Sequence, residues 1–186
     1  MNRLPDSLFY FHTMYSQLIH TILMPYQVPL GDDFEKYYNH ACRVYQYAVW
    51  LSKADIEAQK QLAIAAAFHD LGIWTEQTFD YLSPSVHLAK SYLIQNDLAD
   101  WASSIEEIIV QHHKLRPYHI NPLAEYFRQA DLIDLYFGLF QFGLSRGQIN
   151  AAVQQFPYGG FHRFLAKECF KNILRHPLHP LPMMRW

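Results

Sequence analysis

Helix-forming stretches, separated by capping residues and prolines, follow one another along almost the whole chain, and this pattern constrains the fold more than any other feature. Ser83-Pro84 and Asn121-Pro122 each pair a capping residue with a proline at the first helical position. No stretch shows the sustained alternation of apolar and polar residues that is typical of paired strands. The sequence therefore predicts an all-α bundle of about seven or eight helices.

Start and stop signals place the individual helices. They cover roughly 7–24, 34–53, a third from Asp55 to Gly72, 84–96, 104–113, 122–143, and two more that begin at Ser145 and Gly160, the last ending near His176-Pro177. The segment Gly31 to Asp33 is predicted to cap the second helix, and a capping box at Ser103 or Ser104 the fifth. Gly72 is predicted as the C′ residue that closes the third helix.

The composition is that of one globular domain. The chain has 186 residues, of which 51% are hydrophobic and 17% charged, enough to bury a single core. No repeat, low-complexity segment or linker divides it, so we expect one domain over residues 1–186. Within it, residues 1–30 are predicted as an N-terminal helical segment and residues 177–186 as an extended, proline-punctuated tail over the surface.

Charge and hydropathy exclude several classes of partner. The net charge of −2 provides no field that attracts nucleic acid or an anionic membrane. No run of about 18 apolar residues is present to span a membrane. The N-terminus is interrupted by Asp6, His12 and His20, so we expect no signal peptide. The sequence favours a cytoplasmic protein in which Cys42 and Cys169 are reduced, small hydrophobic residues.

The segment AAAFHDLG places His69 and Asp70 at the end of the third predicted helix. A carboxylate there faces the negative end of the helix dipole, which costs about 0.3–1 kcal/mol, and apolar neighbours raise that cost. A bound cation would turn the cost into an attraction. The alternative is a frayed helix end whose carboxylate is solvated.

Asp131 lies within a predicted helix and shares a face with Phe127, Arg128 and Asp134. Buried acids need a charged partner or a metal ion, and here two acids lie three residues apart among aromatic neighbours. The sequence therefore indicates either a metal ligand at Asp131 or an ion pair of Arg128 with Asp131 or Asp134.

Four histidines add to these candidates. His112 continues the apolar stripe of its helix, whereas His113 points about a hundred degrees away. Favourable interaction with the helix dipole is a rival explanation for this tandem pair. His40 and His87 each lie in the middle of a predicted helix, and each alone would be an ordinary core or surface residue.

Together the candidates come from five different predicted helices: His40, His69-Asp70, His87, His112-His113 and Asp131. Helical bundles build metal sites in their cores from facing helices in this way. The mixture of imidazole and carboxylate suits Fe, Mn, Zn, Co or Ni better than Mg or Ca alone. The sequence therefore predicts a site for one or two divalent transition-metal ions.

The order of these residues resembles the HD superfamily of metal-dependent phosphohydrolases, whose pattern is H…HD…D. Here the pattern is His40, His69-Asp70 and Asp131, and the resemblance covers roughly residues 34–135. It implies an HD-type helical bundle in which these four residues hold a first metal ion.

The additional histidines are similar to those of the two-metal branch, found in HD-GYP-type phosphodiesterases and, with variations, in diiron oxygenases such as myo-inositol oxygenase. By that resemblance Asp70 bridges to a second ion held by His87, His112 and, given a distorted helix end, His113. The GYP signature is absent, since KLRPYHINP follows the tandem histidines, and Lys36 stands where some relatives have an acid for a third metal. A cyclic-dinucleotide HD-GYP enzyme is therefore not expected, whereas a two-metal site is.

The resemblance implies a hydrolase that cleaves a phosphate ester of a nucleotide or related small molecule. Its metal ions would lower the pKa of bound water and stabilise the attacking and leaving oxygens, with Asp70 bridging them. Lys114 and Arg116 directly follow predicted ligands and would neutralise phosphoryl oxygens. Other cations near the motifs are more simply surface charges: Lys36, Arg43 and Arg163. Two alternatives stay open, a diiron oxygenase on the same His/Asp set and a non-catalytic module with a structural or ligand-sensing metal.

Overall fold

The computed structural model describes the backbone of residues 6–178 and 182–184, and side chains from residue 14 onward within those ranges. Regular structure in this part of the chain is entirely helical, which confirms the predicted fold class. Eight helices have ten or more residues and two have four: α1 (Asp6–Leu23), α2 (Gln27–Leu30), α3 (Phe34–Ser52), α4 (Ile56–Phe68), α5 (Gly72–Thr75), α6 (Leu82–Gln95), α7 (Ala102–Gln111), α8 (Pro122–Leu135), α9 (Arg146–Gln155) and α10 (Phe161–Arg175). None of the described helices combines the length and apolar character needed to cross a bilayer.

Three helices begin where the sequence predicts because their caps are local hydrogen bonds. The Asp55 carboxylate before α4 and the Asn121 amide oxygen before α8 each accept bonds from backbone N–H groups of the first turn. Ser145 and Gln148 form a complete capping box before α9. By contrast, Asp33 makes no capping bond to α3.

Two other helices begin elsewhere than predicted. α6 begins one residue before Ser83, and Tyr81 ahead of it supplies no side-chain cap. α7 begins after Trp101 without a capping box, and the Ser104 hydroxyl donates instead to Gln61 Oε1 on α4 at 2.7 Å. These starts are set by packing between helices, which local sequence signals do not encode.

Gly72 is required for close packing and does not close a helix. α4 already ends at Phe68, and Gly72 begins α5, where its N–H donates to Ser85 Oγ at 3.0 Å. A Cβ at Gly72 would lie 2.6 Å from the carbonyl oxygen of Tyr81. The predicted C′ role is therefore wrong, and the small residue instead allows α5 to approach the start of α6.

α8 ends at Leu135, eight residues earlier than predicted. Gly138 adopts a φ of 71°, and its N–H donates to the Ile133 carbonyl oxygen at 2.8 Å, which closes the helix end. The apolar segment that follows has helical periodicity, yet it forms turns and exposes several aromatic side chains.

α3 lies at the centre of the bundle and packs mainly against α8, α4 and α1. α4 is buried over most of its length, and its small residues 63–67 let the neighbouring helices approach closely. α7 packs against α6, α8 and α4. The helices α3, α4, α7 and α8 thus form the interior into which polar side chains project.

The described part of the C-terminal tail differs from the predicted extended surface segment. Pro177 and Leu178 form an exposed turn. Met183, however, is only 7% exposed and packs into the hydrophobic core. The tail therefore returns to the bundle and contributes to its interior.

Candidate metal centre

Six of the seven predicted ligand side chains meet inside the bundle. They are His40 on α3, His69 and Asp70 just after α4, His112 and His113 just after α7, and Asp131 on α8. Only His113 keeps appreciable exposure, at 13% of its side chain. Because α4 and α7 both end at this cluster, the negative ends of two helix dipoles favour a cation there.

Asp70 stands between two pairs of histidines. Its Oδ2 lies 3.3 Å from His69 Nε2 and 3.6 Å from His40 Nε2. Its Oδ1 lies 3.3 Å from His112 Nε2 and 4.0 Å from His113 Nε2. Each carboxylate oxygen therefore faces a different pair, which is the arrangement that a bridging ligand requires.

Asp131 approaches the same two pairs from α8. Its Oδ1 lies 3.6 Å from His40 Nε2 and 4.0 Å from His69 Nε2, and its Oδ2 lies 4.0 Å from His113 Nδ1. Two buried carboxylates thus share one small volume with four imidazoles.

Hydrogen bonds on the outer ring nitrogens fix the tautomers of three histidines. Nδ1 of His69 and Nδ1 of His112 each face the carbonyl oxygen three residues earlier, at 2.8 and 2.6 Å, and must donate to it. His40 Nδ1 likewise donates to Asp134 Oδ2 at 2.7 Å. In the neutral form of each ring the single N–H therefore lies on Nδ1, and Nε2 presents a lone pair to the cluster. The Nε2 atoms of His40 and His69 are 3.1 Å apart, and such a pair repels unless a cation or a proton lies between them.

Several buried atoms of the cluster have no hydrogen-bond partner among the described residues. They are Asp70 Oδ1, His112 Nε2 and both carboxylate oxygens of Asp131. Leaving a buried polar group unsatisfied costs about 1–3 kcal/mol, and more when the group is charged. Divalent cations held by the cluster would supply the partners that these atoms lack.

The inward-facing atoms fall into three overlapping groups, in each of which they lie within 4.8 Å of one another. The groups are His40–His69–Asp131, His69–Asp70–His112 and His112–His113–Asp131. Mixed imidazole nitrogens and carboxylate oxygens are the donors that transition metals prefer. The residues present therefore fit a divalent metal ion.

The family model of the HD domain matches residues 37–136, which are 100 of the 186 residues and include every side chain of the cluster. The chain belongs to the HD domain family. This confirms the resemblance drawn from His40, His69-Asp70 and Asp131. Among curated proteins and solved structures, none matches the chain.

His87 lies outside this group of six side chains, which we call the HD cluster. Its side chain is exposed on α6, whose buried face is formed by Ser85, Val86 and Ala89, and none of the three ligand groups contains it. We therefore correct its assignment as a ligand. His113, by contrast, lies beside Asp70. The helix α7 ends at Gln111, and the chain turns at the tandem histidines, so that both rings face the cluster.

Asp134 lies next to the HD cluster and accepts a hydrogen bond from the outer ring nitrogen of His40. Its charged partner is not the one that the sequence suggested. The Arg43 guanidinium donates to both of its oxygens, at 2.6 and 2.8 Å, and to two carbonyl oxygens between α9 and α10. Arg128, the expected partner of Asp131 or Asp134, pairs with Glu125 instead. The Arg43–Asp134 pair orients the His40 ring, as second-shell carboxylates commonly do for metal-binding histidines.

Burial and neighbouring charges shift the proton affinities in the cluster. Burial opposes protonation of His40, but hydrogen bonds with Asp134 and Asp70 outweigh it and raise the pKa of His40 to about 9. Burial raises the pKa of Asp131. Burial also lowers the pKa of His113 well below its usual value, with the His112 charge adding to the effect.

Tyr81 belongs to the site, although no sequence pattern indicated it. Its hydroxyl is hydrogen-bonded to His113 Nε2, and the side chain is almost completely buried. A cavity of about 390 Å³ opens from the cluster and is lined by Tyr81 together with Asp70, His112 and His113. The metal ligands are thus accessible to a small molecule.

The predicted phosphate-binding cations lie in different places. Lys114 lines the cavity next to the HD cluster, whereas Arg116 is exposed and is not among the residues that line it. Arg43, predicted as a surface charge, is fully buried by its pair on α8. Lys36 and Arg163 line a separate polar depression.

Proposed function

We propose that the chain is a metal-dependent phosphohydrolase that cleaves a small phosphate ester with two divalent transition-metal ions, drawn from Fe, Mn, Zn, Co and Ni. The observation that carries the proposal is the buried set of unpartnered carboxylate oxygens and imidazole nitrogens at the wall of an accessible cavity. Membership of the HD family supports hydrolysis as the reaction type. The cavity has the size of a small-molecule site, which favours a small ester over nucleic acid.

In this proposal the two histidine pairs would each hold one ion, and Asp70 would be shared between them. His40 and His69 would hold one ion and His112 and His113 the other, with Asp131 within reach of both pairs. Asp70 is shared, because its Oδ2 faces the first pair and its Oδ1 the second. Of the three histidines that the sequence assigned to this second ion, His112 and His113 stay in the proposal and His87 does not.

Such ions, when bound, supply Lewis acidity and lower the pKa of water toward neutrality. The chain's own residues would position the reactants: Lys114 lines the cavity and its ammonium would neutralise phosphoryl charge, and Tyr81 holds the His113 ring. Hydrolysis joins a water oxygen to phosphorus, breaks the ester P–O bond and leaves a proton on the departing alcohol. Arg116, outside the cavity, has no part in this scheme.

The stoichiometry of the metal is tested on chelator-stripped protein titrated with Mn²⁺ or Co²⁺. We expect saturation near two ions per chain and, in His112→Ala, near one. His87→Ala is the matched control, because it removes an exposed histidine of α6 and should leave the stoichiometry unchanged. Saturation at one ion in all three proteins would rule out the two-metal arrangement.

The reaction is tested on the same metal-loaded protein with p-nitrophenyl phosphate and nucleoside monophosphates. We expect release of inorganic phosphate that depends on added metal and is abolished by chelation. If no metal supports phosphate release and the iron-loaded protein consumes O₂, the reaction is an oxygenation and the hydrolase proposal is wrong. If neither activity is found with any metal, the site is a non-catalytic one.

A further inference from the structure

The cavity beside the HD cluster is polar at one place and apolar elsewhere. Its charged and imidazole groups are confined to the cluster and the adjacent Lys114. Most of the remaining wall is formed by apolar side chains, among them Ile73, Phe79, Leu132, Leu135, Leu165 and Met183. A ligand that reaches the metal site therefore places the rest of its structure against hydrocarbon.

Separate parts of the chain build this apolar wall. Ile73 belongs to α5, and Leu132 and Leu135 belong to α8, all within the segment that matches the HD domain. Leu165 on α10 and Met183 in the tail lie beyond that segment. The chain thus adds a C-terminal apolar surface of its own to the site formed by the HD segment.

This wall fits poorly with a nucleotide. A base and a ribose bring several donors and acceptors into the cavity, and each one buried without a partner weakens binding. Apart from the cluster, Tyr81 and Lys114, the polar side chains among the described lining residues are those of Tyr136 and Cys169. Lys114 is the one cationic side chain among the described lining residues, so a chain of several phosphates would also lack counter-charges.

We propose that the cavity takes a phosphate monoester of an apolar alcohol, with the phosphate at the metal cluster and an alkyl or aryl group against α8, α10 and the tail. This inference rests on the proposed hydrolase function for the reaction, but the apolar recognition rests on the cavity alone. Burial of each additional methylene should strengthen binding about fourfold until the cavity is filled.

The first experiment compares ethyl, butyl, hexyl and octyl phosphate, phenyl phosphate and AMP as substrates of the metal-loaded protein. We expect kcat/KM to rise about fourfold per methylene along the shorter esters, and AMP to be roughly tenfold or more below hexyl phosphate. A preference for AMP, or values that do not depend on chain length, would overturn the inference while leaving the hydrolase proposal intact.

A binding measurement separates the two proposals. Alkyl phosphonates, which cannot be hydrolysed at a P–O ester bond to the chain, are titrated calorimetrically into the metal-loaded protein. If affinity rises with chain length but no phosphate ester is cleaved, the apolar site is supported and the hydrolase proposal is wrong. If affinity is independent of chain length, the apolar site is wrong whatever the activity.

Matched variants test whether the apolar side chains of the cavity wall cause the dependence on chain length. Leu165→Asn places a polar group in the cavity, whereas Leu174→Asn makes the same change on α10 at a side chain that is 67% exposed and outside the cavity. We expect the first to flatten the dependence on chain length without changing metal content, and the second to leave both unchanged. Met183→Ser tests the tail independently, with circular dichroism as the check on folding. An unchanged dependence in both folded wall variants would contradict the proposal.

Discussion

Asp134→Asn tests whether the carboxylate that is hydrogen-bonded to His40 contributes to metal binding by the HD cluster. Asp134 accepts bonds from Arg43 at 2.6 and 2.8 Å and from His40 Nδ1 at 2.7 Å. An asparagine of the same shape must turn its NH₂ group toward one of these donors, and it leaves the buried guanidinium without a counter-charge. Breaking a buried ion pair on one side costs about 3–5 kcal/mol of stability. Losing the partner of a ligand histidine costs roughly 10–100-fold in metal affinity.

The matched control is Glu125→Gln on the same helix. Glu125 also accepts two bonds from an arginine, since Nε and Nη2 of Arg128 donate to its two carboxylate oxygens at 2.7 Å each. None of its hydrogen-bond partners among the described residues belongs to the HD cluster. We expect Asp134→Asn to weaken metal binding in a competition with a coloured chelator, and both variants to lower the free energy of unfolding in urea. Unchanged metal affinity in Asp134→Asn, or an equal loss in Glu125→Gln, would refute the positioning role.

Three further predictions concern single sites. Asp70→Ala should remove both ions and any activity while keeping the helical circular dichroism, because Asp70 approaches both histidine pairs to 3.3 Å, closer than Asp131 does; full metal content by elemental analysis would contradict this. Gly72→Ala should lower stability by about 1–3 kcal/mol, since the new Cβ would lie 2.6 Å from the Tyr81 carbonyl oxygen, and an unchanged melting temperature would show that α5 can move aside. Partial burial opposes ionisation of Glu125, but the bonds from Arg128 hold the pKa of Glu125 below its usual value. Its contribution to stability is therefore present above the unfolded-state pKa near 4.3 and is lost as the pH falls from there through the lower folded-state pKa. The parent should therefore lose stability more steeply than Glu125→Gln between pH 5 and pH 3 in urea titrations, and parallel curves would contradict the assignment.

The sequence predicted the fold best where structure depends on neighbouring residues. Asp55, Asn121 and Ser145 cap their helices as expected, because each cap is completed within one turn. The starts of α6 and α7 were misplaced because contacts between helices set them. The end of α8 was misplaced because the hydrophobic periodicity continues past Gly138, whose left-handed conformation stops the helix.

The same distinction holds for the site. The order of histidines and aspartates along the chain, which resembles the HD pattern, predicted six residues that the structure brings together, since each lies on or directly after a helix that packs into the interior. Periodicity did not show that His87 faces outward on α6. The partner of Asp134 was misassigned because Arg43 lies 91 residues away, whereas Arg128 is close in sequence. Tyr81 could not be found at all, because its link to His113 exists only in the folded chain.

The return of the tail to the cavity separates two parts of the protein that can evolve at different rates. The ligands of the cluster all lie within residues 37–136, whereas Leu165 and Met183 lie in the C-terminal segment. Substitutions in that segment can reshape the cavity without moving a ligand, so related chains can keep one metal centre and diverge in what they accept. For the same reason, an affinity tag fused after Trp186 would begin only a few residues along the chain from Met183, which lines the cavity.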